Sequence, residues 1–348
     1  MQEFTELVRT VRQNCHIADA RFAGDNTLCV FLLKMREYYR WEHQLSFSSA
    51  LSQKDVGSWL ADREALWETL ETEPFLPLPL ADGPVDPFDS GTANRALLPQ
   101  GYIYSGGYGL FHKPHFFIAD LERVEKHDDC TVLISGHEHA RDLTAPPAMM
   151  LDGTIYIRLE SVRRYLWEKI EEAHWSKNNL AMERALAAHD FTDLNAGLDA
   201  MAEHESRTMI LHERGEILAG RELGTGWETL LGRHGRSRAE FLLRAIRDII
   251  ADGLSTLPAL IEAKNWPSLH FYFATYGGMR AEIYPQIKHA YRQAVDENTL
   301  APLRDRLEAD TPQWIALAER IVRELSAAGK DFDGRLDQLV QDCSTACN

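Results

Sequence analysis

His115-Phe-Phe-Ile-Ala-Asp-Leu-Glu-Arg-Val124 and Cys130-Thr-Val-Leu-Ile-Ser135, joined by Glu125-Lys-His-Asp-Asp129, set the reading of this chain. Both runs are rich in β-branched and aromatic residues, and the polar joint between them suits a hairpin. Tyr102-Ile-Tyr-Ser-Gly-Gly-Tyr108 precedes them with the same composition, and Thr154-Ile-Tyr-Ile-Arg158 follows the turn dipeptide Asp152-Gly153. A small, mainly antiparallel sheet of three to five strands is expected over about 101–158.

On either side of the sheet the chain reads as helix, so the expected fold is α+β and predominantly helical. Asp25 is placed to cap a helix running from Leu28 to Glu42, and a second helix is expected from Lys54 to Thr72. Residues 73–91 carry Pro74, Pro77, Pro79, Pro84 and Pro87 and read as a connecting loop. Beyond 158, helices are expected at 159–175, 178–188, 194–222, 236–253, 267–276, 280–295, 301–328 and 332–342. Gly224, Gly253, Pro258, Pro267, Gly277 and Gly329 are among the residues that punctuate them. The chain is thus expected to have an N-terminal helical segment (1–100), a β region (101–158) and a C-terminal helical region (159–348).

The chain has 348 residues, 45% apolar and 26% charged, which is globular composition with room for two domains. Its 37 basic and 53 acidic residues leave a formal charge of -16. Such a surface repels phosphate backbones and anionic headgroups, so neither a nucleic-acid nor a membrane partner is expected. Five cysteines form an odd, sparse set, unlike a disulfide framework, and point to a reducing cytoplasm. Cys343 and Cys347 read as idle thiols near the chain end. The longest apolar run, Leu28–Leu33, is six residues, far short of the roughly 18 that cross a bilayer. The opening Met-Gln-Glu-Phe-Thr-Glu lacks the basic-then-apolar order of a signal peptide.

The sharpest chemical feature is Thr208-Met-Ile-Leu-His-Glu-Arg-Gly-Glu-Ile-Leu-Ala-Gly220. His212 and Glu216 are four apart, so on a helix they stack one turn apart and can share one metal ion. Glu213, next to His212, stands where a general base would act on water near that metal. Glu205, Met209, His212 and Glu216 form one stripe. The alternative is that Glu213 and Glu216 simply pair with Arg214, Arg221 or an arginine of another helix.

Here a resemblance appears. An apolar turn followed by His-Glu-x-x-His and another apolar turn is the active helix of zinc metallopeptidases of the zincin type, and the 208–220 segment resembles it. The resemblance implies a zinc-dependent hydrolase whose strands precede its metal helix. Glu216 stands where those enzymes have their second His, which changes the ligand set. The third ligand is left open among Glu222, His234, Glu240 and His270. The whole chain resembles an uncharacterised bacterial family with Asn14-Cys-His and Met35-Arg-Glu-Tyr-Tyr-Arg-Trp-Glu signatures, which implies no activity.

Other residues were candidates for the same chemistry. Glu37 sits among apolar residues of the 28–42 helix. With Glu205, His212 and Glu216 it could form a carboxylate-bridged two-metal site in a helix bundle, or it could pair with an Arg. Asp248 and Asp252 could ligate, orient His212 as a supporting partner, or be neutralised by Arg244 and Arg247. His270 lies in an aromatic helix and reads as a core histidine or a ligand. His137 and His139 would share a face on a continuing strand, where a metal could bridge them, but like His112 and His115 they read as loop histidines, and Cys15-His16 does not read as a catalytic pair. No phosphate loop, nucleophile elbow or dinucleotide fingerprint is seen.

The function expected is a metal-dependent hydrolase in which His212 and Glu216 hold the ion, Glu213 is the base, and Glu205, Glu37 or His270 completes the sphere. Zinc is the favoured ion, with iron or manganese as alternatives, and the substrate is a small molecule or peptide. The rivals are a two-metal oxidase or oxygenase and a non-catalytic helical interaction protein. Oligomeric state is left open.

Overall fold

A computed structural model describes residues 2–109, 112–175, 179–234, 237–325 and 332–346. Gly329 and Cys347, noted in the sequence, lie outside the described residues. The fold is α+β and predominantly helical. The chain divides into two compact units, residues 1–168 with 191–202, and residues 169–190 with 203–348.

The first unit opens with helices α1 (Gln2–Phe22), α2 (Leu28–Glu42) and α3 (Gln53–Leu70). Asp25 does not cap α2. It lies in a short 3₁₀ turn, and Thr27, in extended backbone, occupies the N-cap position. The proline-rich stretch is not a plain loop, because it carries a small antiparallel pair, β1 (Leu78–Leu80) and β2 (Gly83–Val85). Pro79 and Pro84 stand opposite each other within this pair, which short edge strands tolerate because they need few backbone donors. Helix α4 (Ser90–Leu97) follows, capped by Asp89.

The main sheet has five strands: β3 (Tyr102–Tyr108), β4 (Pro114–Lys126), β5 (Thr131–Arg141), β6 (Ala148–Leu151) and β7 (Thr154–Arg158). Their order is β3-β4-β5-β7-β6, antiparallel throughout except for the parallel pair β5–β7. Asp152 and Gly153 both have positive φ, 49° and 74°, as a type I′ turn between β6 and β7 requires. Strand β5 runs on through Gly136-His-Glu-His139, so those histidines are not loop residues. On one face of the sheet α1 lays Leu7, Val11, Cys15 and Ala18 against Tyr104, Phe116, Ile118 and Ala140. This spacing of four, four and three is the apolar stripe of a helix seated on a sheet. Leu7, Val11, Phe116 and Ile118 each contribute on the order of 1.5–3 kcal/mol by leaving water.

Helix α5 (Leu159–Trp175) begins in the first unit and ends in the second. The second unit continues with α6 (Leu180–Leu186), most of α7 (Leu194–Arg233) and α8 (Arg238–Ala251). Gly224, with φ 67° and ψ -175°, breaks α7, so its first stretch ends close to the residue 222 expected from the sequence. A π-helical turn at Asp252–Thr256 follows α8, ahead of α9 (Leu257–Glu262) and α10 (Trp266–Thr275). The single helix expected at 280–295 is two, α11 (Gly278–Ile283) and α12 (Gln286–Asp296). Pro285 separates them because the residue before a proline is driven out of helical backbone, and Tyr284 has φ -134° and ψ 61°. Helices α13 (Ala301–Leu325) and α14 (Phe332–Ala346) complete the unit. Leu242, Leu243, Ile246 and Ile250 of α8 sit at its centre among Trp227, Trp314, Ile321 and Leu336. No described helix is long and apolar enough to cross a membrane.

Candidate metal centre

Within the second unit, α7 and α8 approach closely at Gly215. A Cβ there would stand 2.4 Å from the Ala251 carbonyl oxygen. That contact brings one face of α7, carrying His212 and Glu216, onto the face of α8 that carries Asp248, and to Asp252 just beyond its end. Among the described residues, His212, Glu216 and Asp248 are the one group of three whose ligand atoms all lie within 4.8 Å of one another. All three are half-buried.

His212 Nδ1–H donates to Asp252 Oδ1 at 2.8 Å, and Nε2 stands 3.7 Å from Glu216 Oε1. Asp252 is almost fully buried and also accepts from Tyr272 Oη–H at 2.7 Å and Arg280 at 2.8 Å. A carboxylate that fixes one ring nitrogen and leaves the other for a cation is the usual support of a metal-bound histidine. Arg247 donates to Glu216 Oε1 at 2.7 Å and stands 4.0 Å from Asp248.

The charges explain the titration behaviour. Burial opposes the His212 cation, but the charge and hydrogen bond of Asp252, with Asp248 and Glu216, outweigh it and raise the imidazole to about 10. Burial, then the Glu216 charge, lifts Glu213 to about 7. Burial also pushes Asp248 up, reinforced by Glu216. Burial would raise Asp252 too, yet His212, Arg280 and Tyr272 hold it below the ordinary range. Four carboxyls, Glu213, Glu216, Asp248 and Asp252, thus face the Arg247 and Arg280 guanidiniums and the His212 imidazole, and without an ion the imidazole's own proton balances part of their charge. One imidazole and two carboxylates are a donor set that a divalent cation can use, provided it displaces that proton.

The other sequence candidates lie elsewhere. Glu205 is buried and accepts from Ser268 Oγ–H at 2.9 Å, with burial raising its carboxyl. It shares the stripe of His212, but seven residues is two helical turns, about 10 Å along the axis, too far for one ion. His270 Nδ1 shares a hydrogen bond with the Tyr291 hydroxyl at 2.8 Å. Glu37 belongs to the first unit, where it accepts from Arg36 at 2.6 Å and lies 3.5 Å from Arg40. His137 pairs with Glu160 at 2.9 Å and His139 with Asp120 at 2.8 Å. The Cys15 thiol donates to the Phe116 carbonyl, and His16 takes an Arg63 N–H at 2.9 Å. Tyr272 and Arg280, which anchor Asp252, had no sequence signal, because only the packing of α10 and α11 brings them there.

No curated protein and no solved structure matches the chain. Residues 6–158 match the N-terminal domain, and residues 163–343 the C-terminal domain, of a family of unknown function, DUF6866. With both of its domains represented in order along nearly the whole sequence, the chain belongs to the DUF6866 family.

Proposed function

We propose that this protein is a metal-dependent hydrolase whose ion is held by His212, Glu216 and Asp248. The observation that carries the reading is the convergence of these ligand atoms within 4.8 Å, with the second nitrogen of His212 fixed on Asp252. A divalent ion bound there supplies Lewis acidity toward water and a substrate oxygen. Zinc suits the imidazole, and manganese or iron suits the two carboxylates equally well.

The chain's own groups take the remaining roles. Asp252 keeps the ring in one tautomer and orientation. Glu213 receives the proton of the attacking water, as its position beside His212 allows. Arg247 holds Glu216 and must share it with the ion. Arg280 and Tyr272 keep Asp252 ionised and in place. The likeness of 208–220 to the zincin helix supports the assignment of Glu213, while Asp248 takes the place of a further ligand that the motif does not specify. The substrate class this supports is a peptide or small-molecule ester or amide.

The test begins with metal content of protein purified without nickel affinity. About one equivalent of a transition metal, or its recovery after chelation, is expected. Less than about 0.1 equivalent with no rebinding refutes the proposal. Glu213→Gln should retain the metal and lose hydrolysis of a panel of ester and peptide substrates, whereas His212→Ala should lose both.

A further inference from the structure

The first unit contains a cavity of about 450 Å³ that the metal centre does not touch. Arg40, Arg141, Arg163 and Arg164 line it, together with Glu37 and Glu160. In a chain of net charge -16, four guanidinium groups around one cavity need an explanation.

The local ion pairs leave two of them undersupplied. Glu37 is shared between Arg36 at 2.6 Å and Arg40 at 3.5 Å. Glu138 is shared between Arg158 at 2.9 Å and Arg141 at 3.5 Å. Arg40 and Arg141 therefore hold the long, weak end of each pair, and both line the cavity. Each is more than nine-tenths buried, and the Nε–H of each has no hydrogen-bond partner. Arg164, equally buried, also lacks a partner at Nε, but its other nitrogens are taken by Glu168 at 2.6 Å and by the Thr144 and Ala145 carbonyls, as one nitrogen of Arg40 is by the Ser46 and Ser49 carbonyls at 2.8 Å. Glu160 cannot compensate, since its oxygens already accept from His137, the Trp41 indole and the Glu138 amide. Burial weakens the Arg141 cation, and neighbouring Arg164 and Arg158 add to that despite Glu138. A desolvated guanidinium with spare donors is costly, and an oxyanion relieves that cost with two parallel N–H···O bonds. The volume suits a small organic molecule. Trp41, under the Arg141 guanidinium at 4.6 Å, and Phe47 give it apolar walls.

We infer that this cavity binds a small organic oxyanion, a phosphate monoester or a carboxylate, whose oxygens are taken by Arg40 and Arg141 with Arg164 beside them. Glu37 Oε2, buried and without a partner, is set to receive a hydroxyl or ammonium donor of the same molecule. The site is distinct from the His212 cluster and does not depend on it.

Titration calorimetry on the full chain tests this with inorganic phosphate, glycerol 3-phosphate and succinate, against potassium chloride of equal ionic strength. At least one probe should bind, and should bind equally to the His212→Ala chain, which excludes capture by a metal in the second unit. Selective binding of glycerol 3-phosphate identifies a phosphate ester, and selective binding of succinate a carboxylate. Arg141→Lys keeps the charge but loses the planar fork, and should weaken binding about tenfold. Arg163→Gln, at a more exposed position, is the variant to read if Arg141→Lys fails to fold, and should weaken it severalfold. The inference fails if no probe exceeds the chloride control, if binding vanishes in His212→Ala, or if both Arg variants bind as the native chain does.

Discussion

Gly215 meets Ala251 across the α7–α8 contact so closely that a Cβ would lie 2.4 Å from the Ala251 carbonyl oxygen and 2.9 Å from its carbonyl carbon. The obstacle is backbone, so it cannot swing aside as a side chain would. Gly215→Ala should therefore lever the helices apart and cost about 1–3 kcal/mol of stability, as overpacking does. It should also separate His212 from Asp252 and Asp248, weakening metal binding although no ligand has changed. Gly220, on the same helix, has nothing within 4 Å of an added Cβ, so Gly220→Ala should be neutral or stabilising by up to about 1 kcal/mol. Urea midpoints and metal affinities of the two variants check this. Equal behaviour of the two would show that the close approach does not organise the centre.

Asp252 makes no metal contact in this reading and acts through His212. Asp252→Asn keeps the shape but offers one carbonyl oxygen to three donors, His212, Tyr272 and Arg280. Metal affinity is expected to fall roughly 10- to 100-fold, the usual effect of removing a partner behind a ligand histidine. Competition against a fluorescent chelator measures it. An unchanged affinity would mean that Asp252 serves only to pair Arg280.

In the proposed centre Arg247 would compete with the ion for Glu216. Removing the guanidinium in Arg247→Gln takes a positive charge away from Glu216 and Asp248 and frees Glu216, so metal affinity should rise severalfold even as stability drops. Were Glu216 purely the structural partner of Arg247, the same substitution would lower stability and bring no gain in metal uptake. The two readings thus differ in the sign of one measured change.

The His212–Glu216 pair was legible in the sequence because four-residue spacing is a local property: the two stack on α7 whatever surrounds them. Strands Tyr102–Tyr108 and Thr154–Arg158 were legible for the same reason, since β-branched runs and an Asp-Gly turn announce themselves within a few residues. What escaped was long-range. Asp248 and Asp252 could be seen as a pair of carboxylates in an apolar helix, but only the Gly215–Ala251 contact brings them to His212. Glu205 shares the face of His212 but not its level, since axial rise grows with every turn even when the face is kept. Pro285 stops a helix inside a run of otherwise helical composition, and the short β1–β2 pair is masked by its prolines. The arginine cavity has no sequence signature at all, because Arg40, Arg141 and Arg164 come from α2, β5 and α5 and are 101 and 23 residues apart along the chain.

Two groups on α1 titrate in opposite senses. Burial, aided by the Arg63 charge and opposed by Glu42, lowers His16 to about 3. Burial, with Asp142 adding to it against Lys113, the Leu143 amide and Arg63, raises Asp19 to about 7. As pH falls from about 6.5 toward 3, the unfolded chain takes a proton on His16 that the folded chain refuses, so this group's contribution is lost on acidification. From about 7 down to 4 the folded chain takes a proton on Asp19 that the unfolded chain does not, so that contribution grows. The two effects oppose each other through the acid range. His16→Asn removes the penalty that the native chain meets in acid, so it should gain on the native chain at pH 4.5 and match it near pH 7.5. Asp19→Asn stands in for the protonated carboxyl that burial favours, so its gain over the native chain should be largest near pH 7.5 and small at pH 4.5. Urea unfolding at pH 4.5 and 7.5, compared variant against native, reads both trends. Two variants whose differences from the native chain change with pH in the same sense would show that these buried groups do not hold the opposed protonation states that their surroundings impose.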